Sequence, residues 1–308
     1  MDFDRDIAPR HGRSVRVSPL IRRIVAPNPG PFTYTGTGTY IVGRGAVAVI
    51  DPGPDMPQHI EALLAALDGA TVRAILVTHT HRDHSPAARP LANATGAPLL
   101  GCAPHGEGRS DATVEEGADR DYRPDRRLDD GEMVAGPGWT LQALHTPGHT
   151  SNHLCFALAE ESALFSGDHV MGWSTTVIAP PDGDMAAYMA SLERLAARRD
   201  AVLWPTHGPP MRQPHRYLRQ LIAHRRGRER AILAILDQGP CRMDNILDAL
   251  YSDISRALRP AAAMSVLAHL IDLHGRSMLA GDAPPTADDA FQLEPGKTNT
   301  DTTSTFAE

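Results

Sequence analysis

The sequence predicts an α/β protein that carries a smaller, mostly helical part at its C-terminal end. Strand and helix patterns alternate along most of the chain before this helical part begins. The run 72–78 (VRAILVT) is nearly all apolar, which is typical of a strand that is buried on both faces. Residues 57–67 predict an amphipathic helix, because their apolar side chains recur at helical spacing.

The other elements of the α/β part follow the same two patterns. Residues 39–51 predict two short strands with a turn at Gly43 and Gly45 between them. Further helices are predicted at 86–93 and 185–199. Short apolar runs predict the remaining strands, which lie at 98–101, 139–145, 154–159, 163–166 and 201–204.

The character of the chain changes after His207. Three helical patterns and one candidate strand follow it, at 214–237, 243–251, 260–274 and 276–280. This order is typical of a winged-helix-like module, and a three-helix bundle fits it equally well. The sequence therefore divides into a frayed N-terminus, an α/β domain, a winged-helix-like domain and a disordered tail, at 1–15, 16–212, 213–280 and 281–308. Within the α/β domain, the polar stretch 105–130 predicts a long surface loop that acts as a lid.

The composition excludes several classes of protein. The 308 residues are 42% hydrophobic and 22% charged, and the net charge of −7 argues against a chain that coats nucleic acid over its whole surface. Three widely spaced cysteines, Cys102, Cys155 and Cys241, exclude a disulfide framework and are expected to be small buried residues. Because we see no secretory signal and no apolar run near ~20 residues, we expect a cytoplasmic protein with no membrane partner, and a homodimer stays open.

The strongest local signal is the run His79-Thr80-His81-Arg82-Asp83-His84, directly after the apolar strand 72–78. In extended chain, residues two apart point to the same side, so His79 and His81 can bind one ion. Asp83 and His84 come where the chain turns into a helix, and they can reach a second ion. Neutral imidazole and carboxylate ligands together suit Zn²⁺.

Three later loops supply more ligands of the same types. His149 lies in TPGHT, Asp168 in SGD and His207 in PTHG, and each loop follows a predicted strand. Each also contains Gly or Pro, as tight functional loops do. A carboxylate such as that of Asp168 can bridge two ions with its two oxygens.

In this order, the motifs HxHxDH, TPGHT, SGD and a late His beside Gly resemble the metallo-β-lactamase superfamily of metallohydrolases. The resemblance covers about residues 20–210 and implies an αββα sandwich with the site at one edge of its two sheets. It implies two Zn²⁺ ions, with Mn or Fe as alternatives. The implied ligands are His79, His81 and His149 for one ion, and Asp83, His84 and His207 for the other, with Asp168 as the bridge.

A closer resemblance is to the lactamase-beta-2-like proteins. The segments NPGP at 28–31 and TGTGTY at 35–40 look like the entry strands of that family. In that family, a stretch similar to HGP at 207–209 leads to a long helix and a C-terminal winged-helix module. Its animal members are reported as single-strand endoribonucleases, so the resemblance makes single-stranded RNA the leading substrate. One departure is Gly38, where the family often has Asn.

The expected mechanism is hydrolysis by a hydroxide that two ions share and whose formation they favour near neutral pH. Asp83 is expected to handle the proton. Asp51 ends a strand in VIDPG, where a turn role and the orientation of a ligating His are both open, and the resemblance favours the second. Thr175 and Thr176 are candidates for binding a substrate oxyanion, although both also fit simple strand formers. Nearby histidines are interpreted as structural or supporting residues, namely His145, His153 and His169.

Several substrates stay open. Superfamily members with the same ligands cleave thioesters, lactones and phosphodiesters, so a glyoxalase-II-like thioesterase or a lactonase is the enzymatic alternative. In β-lactamases of this superfamily Cys or Ser generally stands where Asp168 stands here, which argues against that activity.

The C-terminal helices suggest a non-enzymatic alternative, a winged-helix nucleic-acid-binding protein with a structural metal site. Between Arg212 and Arg276 there are 11 arginines and 6 acidic residues, a balance of +5 in a chain of −7. This asymmetry permits a surface that binds polyanions, whereas a solvated helix face explains it equally simply.

Overall fold

A computed structural model describes residues 10–106 and 117–299. Two β-sheets pack face to face, helices cover both outer surfaces, and a group of helices follows at the C-terminal end. The α/β prediction and the implied αββα sandwich are therefore confirmed.

The first sheet contains seven strands that neighbour one another in chain order. They are β1 (Val15–Arg16), β2 (Ile21–Val25), β3 (Gly38–Arg44), β4 (Ala46–Ile50), β5 (Thr71–Val77), β6 (Leu99–Gly101) and β7 (Arg126–Arg127). β1 to β4 pair antiparallel, and β4 to β7 pair parallel. Ile50 lies opposite Leu76 in the parallel pair β4/β5. Both strands consequently end at the same edge, where Asp51 lies beside Thr78.

The second sheet contains five strands in the order β12-β11-β10-β9-β8. They are β8 (Met133–Gly136), β9 (Trp139–His145), β10 (Leu154–Leu158), β11 (Ala163–Gly167) and β12 (Val202–Pro205). All pairs are antiparallel except β11/β12. The loops that carry His149, Asp168 and His207 follow β9, β11 and β12, so this sheet brings them to one edge.

Successive side chains of β10 and β11 alternate between the two faces of the second sheet. Phe156 and Phe165 belong to the core between the two sheets, whereas Cys155 and Leu164, their neighbours in sequence, belong to the cluster on the opposite face. This is the two-residue period of a β-strand, in which successive side chains point to opposite faces. The sheet therefore has an apolar layer on each face.

The helices complete the sandwich. α1 (Pro57–Leu67) and α2 (Ala88–Thr95) pack with the first sheet, and α3 (Met185–Ala196) and α4 (Pro214–Leu236) pack against the outer face of the second. α1 has the predicted bounds and buries Leu63 and Leu67. Within the described residues, no helix combines the length and apolar character needed to cross a membrane.

The C-terminal part has its own apolar core. It lies between the end of α4, α5 (Met243–Leu250) and α6 (Arg259–Gly275). A two-stranded sheet of β13 (Cys241–Arg242) and β14 (Ala290–Phe291) closes it. The candidate strand at 276–280 forms no ladder among the described residues, and Leu279 makes a single bridge to Leu293. The winged-helix assignment and the domain bounds stay predictions.

The structure corrects two expectations about irregular segments. The tail expected from residue 281 is ordered in part, because β14 pairs with β13 and Phe291 is buried in the C-terminal core. The segment 105–130, expected to be a long irregular loop, has regular structure in part. It contains the strand β7 and a β-bridge between Ala118 and His81. Residues 1–9, 107–116 and 300–308, on which parts of the terminal and lid predictions fall, lie outside the described residues.

Candidate metal centre

The HxHxDH run lies at the carboxyl end of β5, between this strand and α2. His79 and His84 are fully buried and Asp83 is nearly so. Because β4 and β5 end side by side, the run lies next to Asp51, and the second sheet brings its three loops to the same place. The structure thus assembles all seven predicted ligands in one cluster.

Three histidines form the first group, in which ring nitrogens converge. His79 Nε2 lies 3.0 Å from His81 Nδ1, and His149 Nε2 lies 3.2 Å from the same atom. Burial lowers the pKa of His81 to about 3, and burial with neighbouring histidines holds the pKa of His79 well below its usual value. The imidazoles are therefore neutral at pH 7, which is the form that binds a metal ion.

Two carboxylates and two histidines form the second group. Asp83 Oδ2 lies 3.2 Å from His84 Nε2 and 2.9 Å from His207 Nε2. Asp168 Oδ2 lies 3.4 Å and 3.3 Å from the same two nitrogens. Burial alone would lower the pKa of His207, but Asp168 and Asp83 raise it to about 10. The two carboxylates thus favour positive charge at this point.

Both groups fit metal ions by the chemistry of their donors. The ligand-type atoms within each group lie within 4.8 Å of one another. Asp168 places Oδ2 in the second group, while its Oδ1 is buried and has no hydrogen-bond partner among the described residues. A buried carboxylate oxygen without a partner is costly, and a cation would satisfy it. Two ion positions next to each other are thus compatible with this site.

Asp51 contacts the second group, in a position that fits the orienting role favoured by the resemblance. His84 Nδ1 lies 3.0 Å from Asp51 Oδ2, and Thr206 Oγ1 donates to the same oxygen at 3.1 Å. Thr78 donates from both its backbone N–H and its hydroxyl, each at 2.8 Å. Asp51 has a φ of 49° and is 1% exposed. This buried carboxylate fixes the ring of His84 and joins three segments of the chain.

Glycines allow the ligand loops to approach their neighbours. A Cβ on Gly148 would overlap the Cα of Tyr188 in α3, and the φ of Gly148 is 138°. The next residue, His149, has its Nδ1 at 2.9 Å from the carbonyl of Val177. The loop after β9 therefore presents His149 only because Gly148 leaves room for α3.

In the structure the hydroxyl of Thr176 is not free to bind a substrate oxyanion, as had been predicted for it. Thr176 is 1% exposed, and its Oγ1 donates to the backbone carbonyl of Asp168 at 2.7 Å. A hydroxyl that has already donated its proton cannot donate to a substrate oxyanion. Thr176 instead positions the Asp168 loop. Thr175 is half-buried and lines a cavity next to the centre, so its substrate role stays a prediction.

The neighbouring histidines differ in position. His153 is buried, lies 2.9 Å through Nδ1 from Thr146 Oγ1, and places its ring 5.1 Å from that of His79. His169 is also buried and packs against Tyr188. His145 is exposed at the end of β9. None of the three belongs to either group of ligand-type atoms, which agrees with a structural or supporting role.

Comparison with known proteins identifies the family. The model of the metallo-beta-lactamase superfamily matches residues 34–207. The chain belongs to this superfamily. It is 35% identical over 259 residues to the beta-lactamase-like protein 2 homolog of Caenorhabditis elegans, and the match covers 82% of this chain and 83% of that relative. The resemblance implied by the motifs is therefore confirmed, and the protein is a metallo-β-lactamase superfamily hydrolase.

Two further comparisons extend the match beyond the superfamily domain. An atrochrysone carboxyl ACP thioesterase of Paecilomyces divaricatus is 32% identical over 248 residues, covering 77% of this chain and 72% of the relative. The crystal structure of a metallo-beta-lactamase family protein of Thermus thermophilus superimposes with a TM-score of 0.73 at 25% identity, over 91% of this chain and 100% of the other. The C-terminal helices are therefore included in a fold that is similar along nearly the whole chain.

Proposed function

We propose that this superfamily hydrolase is a dinuclear zinc enzyme that cleaves thioesters of small or carrier-bound acyl groups. The observation that carries the proposal is the pair of buried, converging ligand groups that meet at Asp168. In this assignment His79, His81 and His149 hold one ion, and Asp83, His84 and His207 hold the other. The imidazole-rich donors of the first group favour Zn²⁺ over Mn, and Zn²⁺ rather than Fe is part of the proposal.

The residues of the chain prepare the reaction in three ways. When two ions are bound, they favour ionised water near neutral pH and polarise a carbonyl oxygen. His84 and His207 hold the pKa of Asp83 well below its usual value, although burial alone would raise it. Asp83 is therefore ionised at neutral pH and would orient the attacking water by accepting a hydrogen bond from it, while the proton of that water passes to the leaving thiolate. Asp51 keeps the ring of His84 in place, and Asp168 holds the two halves of the centre together.

No side chain of the chain is needed as a covalent nucleophile. Cys102 and Cys155 are buried, and burial raises the pKa of Cys155 to about 12 and that of Cys102 further still. Neither thiol ionises at neutral pH, so neither is a nucleophile. Direct attack by water then releases the thiol and the free acid in one hydrolytic step.

The relatives and the arginine contacts favour a thioester over RNA. Relatives at 32% identity are named thioesterases. The Arg-rich helix α4 engages many of its charges within the protein: Arg225 is buried, Arg226 pairs with Glu193, and Glu229 accepts a charged hydrogen bond from Arg276. Part of the positive balance of this region is therefore used in contacts within the protein. RNA cleavage stays a prediction without support from these contacts.

Thiol release is the test of the proposed function. Zinc-reconstituted protein is assayed with S-lactoylglutathione, an aromatic acyl thioester of N-acetylcysteamine, an acyl-homoserine lactone and single-stranded RNA. We expect release of thiol that stops on chelation and returns with zinc. Asp83→Asn should lower turnover by about 100-fold or more, and Asp125→Asn, at an exposed carboxylate, should not. RNA cleavage without thioester turnover would contradict the proposal.

A further inference from the structure

A cavity of about 570 Å³ lies beside the metal centre, between the α/β sandwich and the C-terminal helices. Its walls come from the segment around Tyr34, the loop 171–177, helix α4, and the segments around Tyr251 and Ala261. The volume is within the range of about 300–1,000 Å³ that is usual for small-molecule sites. The superfamily domain ends near residue 207, so the C-terminal helices complete this cavity.

The walls of the cavity are tied to the metal centre by hydrogen bonds. Val177, in one wall, accepts at its carbonyl from His149, and Thr176 donates to the carbonyl of Asp168. On the other side, the carbonyl of Gly36, two residues after Tyr34, lies 3.2 Å from His207 Nδ1. Segments that shape the cavity therefore also hold ligand residues of both groups.

Two aromatic surfaces give the cavity a flat, apolar character. The rings of Tyr34 and Trp173 stack at 4.8 Å with an interplanar angle of 14°. Tyr251 lies across the cavity, with the guanidinium carbon of Arg228 at 4.1 Å from its ring centre. Phe32 and Ile254 extend these walls. Such walls favour a planar, apolar group over a chain of hydrated phosphates.

Positive charge lies within the same walls and has no carboxylate partner in the described parts of the chain. Arg225 is 3% exposed, donates to the carbonyl of Thr176, and has no hydrogen-bond partner at Nε. Arg228 donates to the carbonyl of Leu250 at 2.9 Å. Within residues 10–106 and 117–299, the buried Nδ1 of His224 has no hydrogen-bond partner. A buried guanidinium without a carboxylate partner is costly, so these walls favour a bound anion.

Two other arginines of this region, Arg226 and Arg259, are placed differently. Arg226, on the same helix, forms an ion pair with Glu193 at 2.7 Å, and Arg259 does so with Asp248 at 2.7 Å. Asp253 also lines the cavity, but it is exposed at the rim. Arg225 and Arg228 thus line the cavity without an ion pair among the described residues, whereas Arg226 and Arg259 pair with carboxylates outside it.

We propose that this cavity receives the acyl part of the thioester, and that the preferred acyl group is a large, flat, apolar group that carries a negative charge. Arg225 and Arg228 receive the charge, and Tyr34, Trp173 and Tyr251 receive the flat surface. This inference rests on the proposed thioesterase function and adds the class of its substrate.

Direct binding to the zinc-loaded protein tests the inference separately from turnover. Calorimetry compares 2-naphthalenesulfonate, an anion that binds metals weakly, with 2-(methylsulfonyl)naphthalene, a neutral molecule of nearly the same shape. We expect the anion to bind about tenfold more tightly. Arg228→Gln should remove most of this difference, and Arg226→Gln, at a paired and exposed site, should leave it unchanged. Arg228 is half-buried, so this variant is expected to fold even where Arg225→Gln does not.

The outcomes separate this inference from the proposed function. Equal affinity for the two naphthalenes, or an effect of Arg226→Gln equal to that of Arg228→Gln, would overturn the charge preference. Binding of neither molecule would overturn the cavity as the acyl site, while zinc-dependent thioester turnover would still support the function. Displacement of the sulfonate by a single-stranded RNA oligonucleotide, with the same loss in Arg228→Gln, would assign the cavity to RNA instead.

Discussion

Replacement of Asp51 by Asn tests the orientation of the second metal group. Asp51 accepts hydrogen bonds from Thr78 N, Thr78 Oγ1 and Thr206 Oγ1, and its Oδ2 lies 3.0 Å from His84 Nδ1. An amide keeps one of the two oxygens and turns the other position into a donor. Asn also tolerates the left-handed backbone at this position, where φ is 49°. The variant therefore changes the acceptors and leaves the backbone in place.

The contacts give the size of the effect. Each buried donor that loses its acceptor costs roughly 1–3 kcal/mol. Three of the four contacts go to Oδ2 and one to Oδ1, so Asp51→Asn with its oxygen at the Oδ2 position loses one contact and should lower the free energy of unfolding by about 1–3 kcal/mol. Asp51→Ala loses all four acceptor contacts and adds about 1 kcal/mol of backbone strain. Loss of a carboxylate that orients a ligating His should also weaken binding of one zinc ion by about 10-fold to 100-fold.

The assay is competition for zinc with a fluorescent chelator, together with denaturant unfolding of the chelated protein. Asp68→Asn, at an exposed carboxylate after α1, is the matched control and should change neither quantity. If Asp51→Asn kept both zinc affinities of the parent protein, Asp51 would not orient the metal centre. If it changed stability alone, its role would be confined to the junction of β4, β5 and β12.

Three further predictions concern the loops and the metal ions. Asp168→Ala should lower thioester turnover by about 100-fold or more while circular dichroism shows a retained fold, and an active variant with both ions would remove the bridging role. Gly148→Ala should lower the free energy of unfolding in urea by about 3 kcal/mol, because the new Cβ meets Tyr188. The control Gly45→Ala, where a Cβ meets no atom, should lower it by about 1 kcal/mol. Chelation should lower the melting temperature and added zinc should restore it, because bound ions stabilise the folded state. An unchanged melting temperature would contradict the prediction that the folded protein binds the ions more tightly than the unfolded chain does.

Much of the site could be predicted from the sequence because its ligands lie in short loops directly after strands. A strand end fixes where the next few residues lie, and the edge of a sheet gathers such ends from distant parts of the chain. His79, His149 and His207 are brought together in this way. For Asp51, the residue after β4 beside the end of β5, the strand end left two roles open, and only the family resemblance favoured a contact with a ligating His.

Features that depend on packing between distant segments could not be predicted in this way. The sequence shows the charge of Arg225 but not that it crosses to the carbonyl of Thr176, 49 positions away. The same holds for the stack of Tyr34 on Trp173, two aromatic residues without any shared motif. The hydrogen bond of Thr176 could not be predicted for the same reason, since its partner is a backbone carbonyl that only the folded loop supplies.

The ordered part of the C-terminal tail shows the limit of composition as a guide. The segment after residue 281 is mostly polar, which predicts disorder. Phe291 and Leu293 are enough to attach it, because one enters the apolar core of the C-terminal helices and the other packs against it. A strand of two residues is too short to give a periodic pattern, so no sequence signal marks it.

Metal content per chain is the most direct test of the dinuclear site. The protein is loaded with zinc, passed over a desalting column and analysed by mass spectrometry for metal and by absorbance for protein. We predict two zinc ions per chain for the parent protein, and one for His149→Ala and for His207→Ala, because each variant removes a ligand from a different group. Less than one zinc ion per chain in the folded parent protein, or two ions in both variants, would contradict the assignment.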